Sequence, residues 1–341
     1  MADQPAPPEL INLPDLPLQK IAENAPFRGV LNMKKVCARF HDLFEQHPPS
    51  INLVHISITG SQDAIRISYG QGCIGINYKK DGDDGCIVTT RFEKKDLKFA
   101  NEDYKEMFRA DLERNARLQT KPLYSFSINA DDVVMKLVSS VLEAVKPPLK
   151  AETVYITTKT AESAGLVLRL LCPTSLKTLE IKLLPRPPTH LSDAQVSQLA
   201  SCEQWKSAKN IELKHCVISN DSLHHFAHLS KSQIALEEFS IQSLVELKEM
   251  ILRPSLEKLI LRNTSSVKDD GAFMLKMLED VLGSHTYTHG RIYGWFFNAP
   301  HGNEDLLYFQ LNDDTLMIMP NQEKYIPYEI VVRPMFKFPD N

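Results

Sequence analysis

Residues 176–183 read Leu176-Lys177-Thr178-Leu179-Glu180-Ile181-Lys182-Leu183, and this octet decides the fold class. From Leu179 onward apolar and charged residues alternate strictly, the period-two pattern of a strand with one face buried and the other in water. In apolar terms the segment is L-x-x-L-x-L. The same spacing returns at Leu123-x-x-Phe126-x-Ile128, Ala151-x-x-Val154-x-Ile156, Ala208-x-x-Ile211-x-Leu213, Leu236-x-x-Phe239-x-Ile241 and Leu256-x-x-Leu259-x-Leu261. Successive starts lie 20 to 32 residues apart, the size range of leucine-rich repeats. Helix-period runs fill the intervals at 131–146, 161–171, 191–201, 219–229, 243–252 and 268–282, as Val133, Leu137, Val138, Val141 and Leu142 show for the first. Strand then helix, repeated, predicts an irregular leucine-rich-repeat-like α/β solenoid over 121–283, its curved parallel sheet backed by helices. The repeat is degenerate: Cys216 and Ile218 complete the fuller motif once, whereas Asp131, Lys159, Leu184, Leu244 and Thr264 stand at the cysteine position elsewhere. A set of unrelated α/β elements is the alternative.

Side chains on a strand point to opposite faces in turn, so the residues between the apolar ones form columns on the open face. One column is Ser127, Tyr155, Glu180, Glu212, Ser240 and Ile260; the next is Asn129, Thr157, Lys182, Lys214, Gln242 and Arg262. Glutamates diagonal to lysines make a self-compensating lattice. The same surface is where solenoids commonly hold partners, which makes Tyr155, Glu180, Lys182, Glu212, Lys214, Gln242 and Arg262 the candidate target-binding residues.

The flanks read differently. Beyond residue 283, short β-like runs at 291–297, 306–311, 316–319 and 326–332 predict a small C-terminal β extension over 284–341. Its aromatics Trp295, Phe296, Phe297, Tyr287, Tyr293 and Tyr308 close the end of an open sheet or anchor a partner. Upstream, runs at 51–59, 64–69, 73–80 and 86–92 predict an antiparallel β meander, followed by a charged amphipathic helix near 101–118. The turn Asp81-Gly82-Asp83-Asp84-Gly85 is a hairpin signal. As a calcium loop it fails, because the twelfth position, which needs a bidentate glutamate, is Phe92.

Residues 12–47 carry more apolar surface than so short a segment can bury alone. Leu18, Ile21, Ala22 and Ala25 lie on one face of a first helix; Pro26 and Gly29 interrupt it; Val30, Met33, Cys37 and Phe40 form the stripe of a second run, widened by Val36, Leu43 and Phe44. The order Leu13-Pro14, Leu18, Ile21, Ala25-Pro26, Val30-Leu31 and Met33-Lys34-Lys35-Val36-Cys37-Ala38-Arg39-Phe40 resembles the F-box, which attaches substrate receptors to a Skp-type adaptor in cullin-based ubiquitin ligases. Two positions depart from that pattern: Gly29 replaces the usual acidic residue and Phe40 the usual tryptophan. The resemblance implies adaptor contacts from Leu13, Pro14, Leu18, Ile21, Pro26, Val30, Leu31, Val36, Cys37 and Phe40, some of which must instead pack the module's own core. Residues 1–11 read as a flexible N-terminus.

Composition excludes other classes. A net charge of −4 over 341 residues gives no cationic surplus for tracking phosphates, so no direct nucleic-acid partner is expected. No apolar run approaches the roughly 18 residues of a membrane span, and the start lacks secretory-signal features; the expectation is a protein of the cytoplasm, the nucleus or both. Six cysteines without Cys-x-x-Cys spacing predict reduced structural thiols. His224, His225 and His228, near Cys202 and Cys216, lack the paired spacing of a zinc site, and neither a nucleophile elbow nor a phosphate-cradling glycine loop occurs. Cys37 lies on an apolar stripe, a poor place for an ionised nucleophile. No catalytic residue, metal or cofactor is expected.

Taken along the chain, this order of helical module, β-rich middle and degenerate repeat resembles the nematode-type F-box proteins with an FTH-type domain. That resemblance implies a non-catalytic adaptor of an SCF-type ligase, bound through a Skp-type adaptor to a cullin and holding a protein target on the repeat domain. An alternative is a Skp-bound scaffold without degradation, bridging for example a messenger-RNA regulator.

Overall fold

The computed structural model describes residues 13–70, 74–82, 85–90, 96–184, 188–264, 270–298, 305–322 and 332. Two compact units divide the chain: Met1–Thr153 with Leu170–Ser175, and Val154–Arg169 with Leu176–Asn341.

The first unit begins with helices α1 (Asp15–Asn24), α2 (Phe27–Val36) and α3 (Ala38–Gln46). Prolines set their starts. Pro14 and Pro26 occupy the N-cap positions of α1 and α2, and Ala25, forced towards extended backbone by the ring that follows, ends α1 at φ −75°, ψ 146°. The three helices share a core of Leu18, Ala22, Val30, Phe40, Leu43 and Phe44. The second periodic run is two helices, not one: Cys37 is extended (φ −159°, ψ 163°) and caps α3. Periodicity misses this one-residue break because both helices turn their apolar faces to the same core.

The predicted meander is present, with β1 (His55–Ser61), β2 (Ala64–Tyr69), β3 (Ile74–Asp81), β4 (Gly85–Thr90) and β5 (Asp96–Ala100) each antiparallel to the next. Strand β5 escapes the sequence pattern because all its residues are exposed, so burial imposes no alternation. At the β3–β4 turn Gly82 has φ +70°, and a Cβ on Gly85 would lie 2.5 Å from the Asp81 carbonyl oxygen, which makes glycine obligatory there. After α4 (Tyr104–Leu118), strand β6 (Leu123–Ala130) joins β1 in parallel, Ile56 opposite Phe126 and Ile58 opposite Ile128. Helix α4 is capped by Asp103 and buries Tyr104, Phe108, Leu112 and Ala116 at i, i+4 spacing. It is pinned to the sheet by the Tyr78 hydroxyl, which donates to Asp111, and by Asn115, whose amide donates to the Tyr69 hydroxyl at 2.8 Å. Burial pushes both phenols well above their ordinary range. Helix α5 (Asp132–Ala144), capped by Asp131, packs on β1 and β6.

The unit boundary falls inside β7 (Ala151–Thr158), which α6 (Ala161–Leu168) follows. In the second unit β8 (Thr178–Leu183), β10 (Asn210–Lys214), β12 (Lys231–Leu236) and β13 (Lys258–Asn263) run side by side in parallel. The short strands β9 (Thr189–Leu191) and β11 (Cys216–Ile218) pair beyond them in the same sense. His215, at φ +59°, bends the chain between β10 and β11. The intervening helices are α7 (Asp193–Ala200), α8 (Glu203–Ser207), a 3-10 turn at Asn220–Phe226 where a longer helix was expected, α9 (Ile241–Glu246), α10 (Lys248–Ile251) and α11 (Asp270–Leu282).

One predicted strand is displaced. Residues 236–241 are not a strand: Leu236 ends β12, Glu237 and Glu238 are exposed, and Ser240 caps α9 by accepting from the Ser243 amide. The spacing misled because Phe239 is buried in the connection, mimicking a strand position. The C-terminal strands β14 (Tyr287–His289), β15 (Ile292–Asn298), β16 (Asp305–Asn312) and β17 (Thr315–Gln322) are antiparallel, and β17 pairs with β13, Leu259 opposite Ile318. They are therefore part of the same sheet as β8–β13. Trp295, Phe296 and Phe297 are buried in it, and the Trp295 indole donates to the Gly283 carbonyl at 2.7 Å. The strand expected at 326–332 lies outside the described residues except for Val332.

Candidate docking surfaces

On α1–α3 the residues singled out for adaptor contact divide into two sets. Leu18, Val30 and Phe40 are buried in the module's own core, so they hold the helices together rather than meet a partner. Leu13 and Cys37 are half-buried against that core, and Leu31 is half-buried. Pro14, Ile21, Pro26 and Val36 are exposed. Val36 is 68% exposed, Ile21 39%, and Leu16, which helical spacing passed over, 73%. Leu16 falls off the i, i+3, i+4 stripe, and its position between Pro14 and Pro17 was the available signal.

Polar contacts fix the frame around these residues. The Arg39 guanidinium donates to the Leu13 carbonyl at 2.7 Å and to Asp15 at 2.9 Å, tying the start of α3 to the start of α1. Lys34 donates to Glu45 at 3.0 Å, joining α2 to α3, and holds that carboxyl below its ordinary range. A three-helix module with a six-residue core thus keeps large apolar side chains in water. Their cost outside is of the order of 1.5–3 kcal/mol each relative to full burial, which is the driving force available to a covering partner.

The open face of the second unit has the opposite chemistry. In register across β8, β10, β12 and β13 lie Glu180, Glu212, Gln233 and Ile260. One step towards the strands' carboxyl ends, Lys182 faces Lys214 and Ala235 faces Arg262. Gln233 thus takes the place expected for Ser240, and Ala235 the place expected for Gln242, which lies on α9 and donates to Glu246 at 2.7 Å. Tyr155 is exposed on β7. The lattice of compensating charge is real in part. Lys214 Nζ lies 2.7 Å from Glu180 and 3.4 Å from Glu212, and Lys231 lies 3.3 Å from Glu212. Burial lowers the Lys214 pKa, but the two carboxylates outweigh it and the net shift is upward. Lys182, Leu213, Lys214, His215, Gln233, Ile234, Ala235 and Arg262 line a hollow of about 210 Å³.

The histidines near Cys202 and Cys216 have structural partners. His225 Nε2 meets Ser197 Oγ at 3.0 Å, His228 Nε2 meets the Trp205 carbonyl at 3.1 Å, and His224 Nδ1 meets the Asp221 carbonyl at 2.7 Å. Burial pushes the Cys216 thiol up to about 12. Among the described residues no group of three or more His, Cys, Asp or Glu side chains is placed to hold a metal ion. Among the same residues no helix is long and apolar enough to cross a membrane.

Alternating strands and helices define a mixed α/β domain with a charged open face, and comparison with known families gives it a description. The chain carries an FTH domain: the family model of that description matches residues 132–278, from α5 to α11. No curated protein matches the chain.

Proposed function

We propose that this protein is a non-catalytic substrate-recognition subunit of an SCF-type ubiquitin ligase, acting in the cytoplasm, the nucleus or both. On this reading α1–α3 form an F-box that docks a Skp-type adaptor, and through it a cullin, by the exposed set Pro14, Leu16, Ile21, Pro26 and Val36, with Leu13, Leu31 and Cys37 at its margin. The face of β8, β10, β12 and β13 holds the protein target. The contribution to catalysis is proximity: the target is brought to the transferring enzyme, and no bond is made or broken by this chain. The observation that carries the reading is the exposure of Leu16 and Val36 on a module that follows the Leu-Pro, second-proline, Val-Cys-x-x-aromatic order. The FTH domain supports it as the accompanying recognition domain.

The test is co-purification of the tagged full-length chain with a Skp-type adaptor. Replacing Leu13, Pro14 and Ile21 together by Ala, or Leu16 and Val36 together by Asp, should abolish the association while the circular dichroism spectrum and melting temperature stay near those of the parent. Undiminished adaptor binding by both folded variants would overturn the assignment.

A further inference from the structure

We infer that the hollow over Ala235 receives an acidic side chain from an extended segment of the protein target, held between Lys182 and Arg262. The inference deepens the proposed target-binding role of the sheet face and rests on it. Three observations carry it. First, the charges on this face do not cancel. Glu180 and Glu212 are matched by Lys214 and Lys231, whereas among the described residues no carboxylate forms an ion pair with Lys182 or Arg262. Among the described residues, then, two cations flank the hollow without a carboxylate partner.

Second, the shape is specific. Along the row, Lys182 and Lys214 stand on one side and Arg262 on the other, and the small Ala235 beside Arg262 leaves the depression between them. At about 210 Å³ it admits a side chain and not a folded element. The half-buried Gln233 adds an amide donor at its wall. Third, the position is at the carboxyl ends of parallel strands, where open α/β sheets place their ligands. Long-range attraction by the two cations would raise the encounter rate and make binding fall with salt.

The experiment is fluorescence anisotropy with the full-length chain and a fluorescein-labelled (Glu-Ala)5 peptide, with (Gln-Ala)5 and a ten-nucleotide oligouridine as comparison probes. The acidic peptide should bind, more weakly as salt rises, and the neutral peptide should not. Lys182→Glu/Arg262→Glu should weaken binding about tenfold or more. Ala235→Trp, which fills the hollow and leaves every charge in place, should do the same. Lys121→Glu/Lys150→Glu, with the same net charge change elsewhere, should bind as the parent does. Equal affinity in either face variant, no binding of the acidic peptide, or tighter binding of oligouridine would overturn the inference. Adaptor co-purification reads α1–α3 alone, so failure of this inference and failure of the F-box assignment are separate results.

Discussion

The three N-terminal helices and the β8–β13 face solve the partition of apolar residues in opposite ways. On the sheet, strict alternation sends Leu179, Ile181, Ile211, Leu213, Ile234, Leu259 and Leu261 inward and leaves the outer positions mainly polar or charged. On α1–α3 the apolar residues outnumber the places a six-residue core provides, and Leu16 and Val36 stay in water. A surface of the first kind discriminates by charge and hydrogen bonding, and salt tunes it. A surface of the second kind gains by removing hydrocarbon from water, with little dependence on salt. The two ends of the proposed connector therefore differ in kind: one suits a constant hydrophobic partner, the other a partner chosen by its charges.

The sharpest way to break this contrast is at Phe40, buried with its ring tilted by 36° against that of Phe44 and the centroids 6.1 Å apart. Phe40→Ala should cost about 3–5 kcal/mol by cavity formation and strip hydrogen-exchange protection from residues 15–46, whereas Val36→Ala should alter stability by no more than about 0.5 kcal/mol. A Phe40 variant as stable as the parent would make that ring a docking residue after all. A smaller effect is expected on the sheet. Lys214→Met leaves Glu180 and Glu212, which are directly opposed, without their shared cation. Destabilisation of about 0.5–1 kcal/mol in urea titrations is expected, shrinking as salt is added; a cost that ignores salt would mean the lysine acts by packing.

The smallest effect concerns His225, whose pKa is lowered by burial and by His224 beside it. Its folded form resists protonation that the unfolded chain accepts, so the unfolded state binds more protons as pH falls through the ordinary histidine range near 6.5. Stability from this group is present above that range and is lost below it. His225→Gln should flatten the fall in melting temperature between about pH 7 and pH 5; an unchanged slope would assign the loss to other groups.

Sequence pattern located most strands of the second unit because half-buried strands must alternate, and it located α1 and α2 because prolines mark their starts. It failed where a different physical cause acted. Edge-exposed β5 has no buried face to impose a pattern. The buried Phe239 of a connection imitated a strand position and moved the column positions by seven residues, taking Ser240 and Gln242 into the columns in place of Gln233 and Ala235. The hollow itself was therefore invisible in the sequence: it depends on which residue stands between Lys214 and Arg262, and that is a matter of register between segments far apart in the chain. The division of Leu18, Val30 and Phe40 from Ile21 and Val36 was likewise hidden, since a helical stripe wider than one face does not say which flank is covered.

The pairing of β17 against β13 has a consequence for the protein in concentrated solution. A parallel stack that ended at β13 would present a row of unpaired amides and carbonyls to any other extended chain, the route by which such sheets grow into aggregates. Strand β17 occupies those groups within the same molecule, Leu259–Arg262 lying opposite Thr315–Ile318. Strand β17 thus shields that edge from other extended chains, and a truncation at residue 283, just beyond the family match at 132–278, would remove it.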